Sequence, residues 1–412
     1  MSGGIGILSF LDPDLSCYVD ALYQPDGELG VLGGIGILSF LDPDLSCYVD
    51  ALYQPDGELG VLGGTIRVVE PKCGRITQNP RNSCDRFKVI IPYAGNSLTW
   101  QVIFDSLHPS LPPDFIFDVH DRAFAPDLEE LKCLVNWDHA EPKSLVFVIR
   151  ELLSQYKKYQ ERLLNSNARL QFEYVSLVET SHFTDVEVHQ VQKTSYARDT
   201  VVNFLIKLPV DFKDIPAYLI KDNPGDDIAI LLVSFQGIDG NKASPQLFLS
   251  PRVERALGGS SSLRIPAFSN RGHLTEYTGL ILELLQNLVE QVVKGYQKRK
   301  EFVAALISHY GRSCLEFDSE GYSKASFLFE LQEFHFILHV RIPSFFPREQ
   351  PEFVFQSVYH TTSSGKPFQA VVANYPYSPR WSGNEMAERA KVYMEQYIQD
   401  FKRASVTSGR FT

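Results

Sequence analysis

Two histidines and one cysteine come nearest to chemistry by type and spacing. His335 and His339 stand four apart in "FHFILHV", and in a strand, where side chains alternate faces, an even spacing puts both on one face. Two imidazoles so placed could share a divalent metal. A zinc protease, however, needs a fuller set, such as HExxH or HxH with a downstream aspartate. No third ligand is legible here, so the pair reads as surface or sheet-packing histidines, and no metal or cofactor is expected. Cys133, in "LEELKCLVNW", is flanked by Leu131, Leu134 and Val135. A nucleophilic thiolate needs an electropositive, partly exposed setting, so Cys133 reads as an inert core thiol. The remaining cysteines, at 17, 47, 73, 84 and 314, make no CxxC pair, and reduced thiols in a reducing compartment are expected. No catalytic residue is assigned.

Recognition chemistry is denser at 374–381, "NYPYSPRW". Tyr375, Tyr377, Arg380 and Trp381 are large side chains with polar tips, the kind that anchor interfaces, and are the candidate partner-binding residues. The competing reading is that Trp381 packs under its own sheet while the prolines rigidify the approach to a helix cap at Ser382. The basic run "KGYQKRK" at 294–300 reads as a solvated helix face that could dock an acidic partner.

The elements that must position these residues recur in three stanzas. In the first, 87–93 ("FKVIIPY") and 98–104 ("LTWQVIF") read as strands separated by turn residues. A turn bearing Pro109, Pro112 and Pro113 and a third strand at 115–119 follow. A helix then carries Leu145, Ile149, Leu152, Tyr156, Tyr159 and Leu163 as one apolar stripe. The third stanza repeats that order. A helical pattern runs from Ile281 to Tyr310, then come strands at 326–331 and 334–342, a turn with Pro343, Pro347 and Pro351, and a strand at 353–358. Ser382 and Glu385 have the S-x-x-E spacing of a capping box before a last helix with Ala387, Ala390, Met394, Tyr397 and Phe401 on one face. The middle stanza, with strands at 201–208 and 228–235 and a "LGGSSSLR" loop, is a degenerate version.

The head is set apart. Residues 3–32 are repeated without one change as 33–62. Structural repeats drift, so perfect identity points to a very recent duplication or an artefact of gene assembly. Residues 1–32 are expected to be dispensable, and the second copy to supply a short helix capped by Asp42-Pro43 with Leu45, Val49 and Leu52 on one face. The glycines of "GGIGIL" match neither phosphate-loop spacing. The resulting layout is head 1–32, N-terminal module 33–165, middle module 166–295 and C-terminal module 296–412.

At 412 residues, 44% hydrophobic, the chain can build real cores. A net charge of -11 argues against nucleic acid as the main partner. Membrane partners are not expected either, since no apolar run approaches spanning length and the start lacks a signal-peptide pattern.

Strand, proline turn and strand resemble the ubiquitin-conjugating-enzyme fold and its inactive UEV and RWD relatives. Together "CDRFKVIIPYAG", "LPPDFIF", "LFLSPRVERALGGSS", "GYQKRKEF", "FQSVYH" and "NYPYSPRW" followed by "GNEMA" resemble the BRE family. The resemblance runs from about residue 66 to 401. It implies an α+β fold of tandem UEV/RWD-like modules, each an antiparallel sheet packed against helices. It also implies a non-catalytic scaffold of a deubiquitinase assembly with roles in ubiquitin signalling and DNA repair, in cytoplasm and nucleus. The partners implied are a JAMM metalloprotease, an MPN-domain pseudoenzyme and a von Willebrand A-like subunit, with ubiquitin as a further candidate. Two alternatives stand beside it. A divergent ubiquitin conjugator would use Cys133, but ubiquitin transfer also needs the oxyanion-stabilising asparagine of a His-Pro-Asn tripeptide, which is absent. A stand-alone UEV receptor for ubiquitin or proline-rich peptides is disfavoured by three modules with almost no linker between them.

Overall fold

The computed structural model describes residues 38–54, 59–74, 84–105, 107–108, 110–121, 123–179, 183, 185–192, 200–216, 227–237, 242–259, 263–269, 272–372, 374–408 and 410–411. The first copy of the head and the turn at 55–57 lie outside them. The chain divides into two compact units, one of residues to 212 with 223–286, the other of 213–222 with 287–412.

The first unit opens on helix α1 (Pro43–Leu52), where the Asp42 side chain accepts from the Asp44 amide at 3.1 Å and proline fills the first turn. Leu45, Val49 and Leu52 are buried, as their spacing implies. An antiparallel meander follows in the order β1 (Arg67–Lys72), β2 (Arg86–Tyr93), β3 (Asn96–Ile103), β4 (Asp114–Ile116). Alternation places Phe87, Val89, Ile91 and Tyr93 of β2 and Leu98, Trp100 and Val102 of β3 in the core. Between them stands a two-residue turn, Ala94-Gly95, with φ of +45° and +77°. Both residues in the left-handed region is the hairpin turn whose twist suits the flanking strands. The third strand is shorter than expected, because the chain leaves the ladder after Ile116 and tightens into a 3-10 turn at Val119–Asp121.

Helix α2 (Ser144–Leu163) buries Leu145, Ile149, Leu152 and Tyr156 in the same core. Trp100, fully buried, meets Phe117 and Tyr156 edge-on, with centroids at 5.4 and 6.1 Å. Truncating such a residue to alanine costs about 3–5 kcal/mol, cavity included.

A second meander, β5 (Val186–Gln192), β6 (Thr200–Lys207), β7 (Ala229–Gln236) and β8 (Lys242–Leu249), belongs to this unit. Leu205, Ile230, Leu232 and Phe248 join the N-terminal core. Sequence reading finds β6 and β7 but not β5 or β8. Strand β5 buries Val186 and Val188 on one face and Glu187 and His189 on the other, and its polar residues hide the burial of the second face. Strand β8 contains Pro245, which only an edge strand tolerates. Helix α3 (Ala168–Glu179) precedes β5.

Helix α4 (Leu274–Tyr310) runs 37 residues, and the division between the units falls within it, after Gln286. In the second unit a sheet has the order β13-β12-β11-β10-β9, comprising β9 (Cys314–Phe317), β10 (Lys324–Leu331), β11 (Phe334–Arg341), β12 (Glu352–Thr361) and β13 (Pro367–Val372). Strand β14 (Arg410–Phe411) pairs with β12. Sequence reading finds β10 to β12; the short flanking strands escape it. Helix α5 (Gly383–Ser408) buries Ala387, Ala390, Met394 and Phe401, and Phe401 meets Phe336 and Phe355 of the sheet. Half of the expected capping box forms. The Ser382 hydroxyl accepts from the Glu385 amide at 3.1 Å, whereas the Glu385 carboxylate pairs with Arg389. At Gly383 an added Cβ would stand 2.7 Å from the Phe302 amide nitrogen, so the start of α5 presses on α4 where only glycine fits.

The architecture is α+β, with antiparallel sheets packed with helices. Among the described residues no helix is long and apolar enough to cross a membrane.

Candidate interaction surface

The four residues proposed for partner binding fall in two settings. Tyr375 is buried and its hydroxyl donates to the Pro351 carbonyl at 2.7 Å; the half-buried Tyr377 donates to the Pro347 carbonyl at 2.6 Å. Both rings thereby hold the proline turn that precedes β12. Trp381 is half-buried at the start of α5, its ring covered by the Arg389 guanidinium at 4.2 Å, and its carbonyl accepts from Lys298 at 2.9 Å. Arg380 is exposed, and among the described residues its guanidinium enters no ion pair. A planar, weakly hydrated cation beside a tryptophan and two prolines can stack on, or bind a carboxylate of, an incoming surface.

The basic run on α4 is partly absorbed by the fold. Lys294 pairs with Glu290, Lys298 holds the Trp381 carbonyl and Arg299 is buried.

His335 and His339 lie on one face of β11, each with its own partners. His335 shares a hydrogen bond with the Tyr359 hydroxyl at 2.6 Å and faces Glu330 at 3.6 Å. His339 contacts the Ser326 hydroxyl at 3.0 Å and Gln356 at 3.4 Å. Among the described residues no group of three or more His, Cys, Asp or Glu could hold a metal ion.

Cys133 is half-buried rather than fully buried. Its amide donates to Glu151 at 2.9 Å. Burial first, then the Glu151 carboxylate, push its thiol above the ordinary cysteine value, the reverse of what activates a nucleophile.

A further set of polar links lies inside the first unit, where the sequence alone pointed to none. Glu187 of β5, buried, accepts from the amides of Ala94 at 2.8 Å and Leu62 at 2.6 Å. Beside it His189 meets the Asn96 side chain at 3.1 Å. A relay joins α2 to β5: Tyr156 donates to Asp121, Gln160 to the Tyr156 hydroxyl, and the Gln190 amide to Gln160. The alternation of "VEVHQVQ" was the signal available for these contacts. A cleft of about 600 Å³ between α2 and α3 is lined by Asp127, Glu130, Lys158, Glu161, Arg162 and Tyr174. Polar groups there answer one another: Lys158 pairs with Glu130, and the Tyr174 hydroxyl donates to Glu161.

These features define an α+β protein whose polar clusters, among the described residues, hold strands, turns and helices to one another. The sequence of the Brain and reproductive organ-expressed protein (BRE) family matches residues 39–361, and the chain belongs to that family. That match begins inside the second copy of the duplicated head. "BRISC and BRCA1-A complex member 2" of Branchiostoma floridae is 47% identical over 348 residues, covering 84% of this chain and 91% of the relative. The protein of the same name from Danio rerio is 45% identical over 349 residues, covering 84% and 90%.

Proposed function

We propose that this chain is a non-catalytic scaffold subunit of a deubiquitinase assembly. The observation that carries the proposal is family membership at 45–47% identity with relatives whose name makes them members of the BRISC and BRCA1-A complexes. Three antiparallel meanders, each in the unit of at least one long helix, support reading the chain as tandem UEV/RWD-like modules. The Cys133 environment supports the absence of ubiquitin transfer: a thiol held beside a carboxylate, in a chain without a His-Pro-Asn tripeptide, has neither activated nucleophile nor oxyanion donor. In this reading cleavage of polyubiquitin belongs to a JAMM metalloprotease partner. An MPN-domain pseudoenzyme and a von Willebrand A-like subunit complete the assembly, which works in cytoplasm and nucleus, in ubiquitin signalling and the DNA damage response.

The test incubates the purified chain with ubiquitin, activating enzyme and ATP, and separately with polyubiquitin. Neither a thiol-reducible ubiquitin adduct nor chain cleavage is expected. An adduct that disappears in Cys133→Ser would make the chain a conjugating enzyme and overturn the proposal.

A further inference from the structure

The sulfurs of Cys73 and Cys84 stand 3.3 Å apart, and no disulfide joins them. Neither residue lies in a strand; they flank the β1–β2 connection, just outside the last ladder pair, Lys72 with Arg86. Both backbones are fixed. On one side the Asp85 carboxylate accepts from the Gly74 amide at 2.8 Å and the Asp85 amide donates to the Lys72 carbonyl at 3.2 Å. On the other, the Cys84 amide donates to Phe40 and its carbonyl accepts from Asp42, both at 3.0 Å. The segment leading into α1 thus rests on Cys84. A disulfide has sulfurs about 2.05 Å apart, so closing the gap needs an approach of about 1.2 Å, within reach of side-chain rotation.

Exposure separates the two thiols. Cys73 is half-buried, at the margin of the core, and Cys84 is 2% exposed. We propose that Cys73 and Cys84 form a peroxide-oxidisable dithiol, an oxidative modification site that closes to an intramolecular disulfide across the β1–β2 connection. The Cys73 thiolate attacks one oxygen of the peroxide. The O–O bond breaks, hydroxide leaves and is protonated to water, and Cys73 becomes a sulfenic acid. Cys84 then attacks the Cys73 sulfur and gives up its proton as the S–S bond forms, breaking the S–O bond and releasing the second oxygen as water. The dithiol loses two electrons and two protons, and hydrogen peroxide is reduced to two waters.

The same asymmetry governs reduction. An external thiolate reaches only the Cys73 sulfur, because Cys84 is buried, so reduction of the closed form passes through a mixed disulfide at Cys73.

The experiment treats the reduced full chain with hydrogen peroxide, alkylates remaining thiols and maps peptides without reduction. A Cys73–Cys84 linked peptide is expected, together with a rise in the melting temperature of about 3–6 °C from closing this short loop. Cys73→Ser, at the half-buried position, should remove both. Cys84→Ser should lose the linked peptide and let Cys73 proceed to sulfinic acid. The proposal is overturned if wild-type Cys73 over-oxidises while Cys84 remains alkylatable, or if Cys73 links to any other cysteine.

Discussion

The carboxylate of Glu187, at the start of the middle sheet, accepts a hydrogen bond from the amide of Ala94, 93 residues earlier in the N-terminal hairpin turn, at 2.8 Å. The Leu62 amide donates to the same carboxylate. Two backbone donors that the N-terminal part cannot satisfy by its own ladder are therefore satisfied by β5.

Removing that carboxylate should be costly. Glu187→Ala leaves the buried Ala94 amide and the part-buried Leu62 amide without this acceptor, at about 1–3 kcal/mol for a buried group and less for a part-buried one, so a loss of about 2–4 kcal/mol is expected from denaturant unfolding. Glu187→Gln, which keeps one acceptor oxygen, should lose less. Equal losses would show that the carboxamide oxygen does not substitute.

The pH dependence carries a sign that two neighbours oppose. Burial, stronger than the Ala94 and Leu62 amides that work against it, raises the Glu187 carboxyl from 4.5 to about 7. The fold therefore favours the protonated form, and this contribution is lost as pH rises from 4.5 through 7. Burial lowers His189 from 6.5 to about 4, so its contribution is present above 6.5 and is lost as pH falls toward 4. Over the shared interval the two slopes partly cancel. In Glu187→Gln, melting temperatures measured across this range should rise more steeply with pH than in wild type. An unchanged slope would contradict the assignment.

Gly95 offers a steric test of the same junction. With φ at +77°, an added Cβ would meet the two Leu232 methyls at 2.9 and 3.0 Å. Gly95→Ala combines a left-handed penalty of about 1–2 kcal/mol with displacement of a buried leucine. The melting temperature should fall clearly, and Leu232→Ala should relieve part of the added cost in a double-mutant cycle. Strict additivity would mean the hairpin does not press on Leu232.

In the segment 374–381 the tyrosines and Arg380 are expected to behave differently. Tyr375→Phe and Tyr377→Phe each delete a hydroxyl bond to a proline carbonyl and should cost about 1 kcal/mol of stability. Arg380→Ala should leave unfolding unchanged yet weaken binding of the von Willebrand A-like subunit by about 1–3 kcal/mol, read by calorimetry. Full affinity in folded Arg380 and Trp381 variants would move the docking surface elsewhere.

The pattern of what was legible follows from where polarity sits. Strands β2 and β3 could be read because alternation matches a sheet buried on one face, and α2 because its stripe is one-sided. Strand β5 was hidden by Glu187 and His189, polar residues on a buried face, whose partners Ala94, Leu62 and Asn96 lie far off in sequence. Cys73 and Cys84 stand eleven apart, and nothing local announces that a strand connection brings them together. In "NYPYSPRW" composition marks aromatic anchors, yet cannot tell an anchor for a partner from one for its own turn. The hydroxyl bonds of Tyr375 and Tyr377 supply that distinction.

The measurement closest to the central proposal is light scattering on the chain mixed with recombinant JAMM metalloprotease, MPN-domain pseudoenzyme and von Willebrand A-like subunits during size-exclusion chromatography. The scaffold reading predicts one co-eluting species containing all four and cleaving polyubiquitin. Elution of this chain alone, at its own 46.6 kDa or as a simple multiple of it, while the other three assemble and cleave without it, would contradict the account.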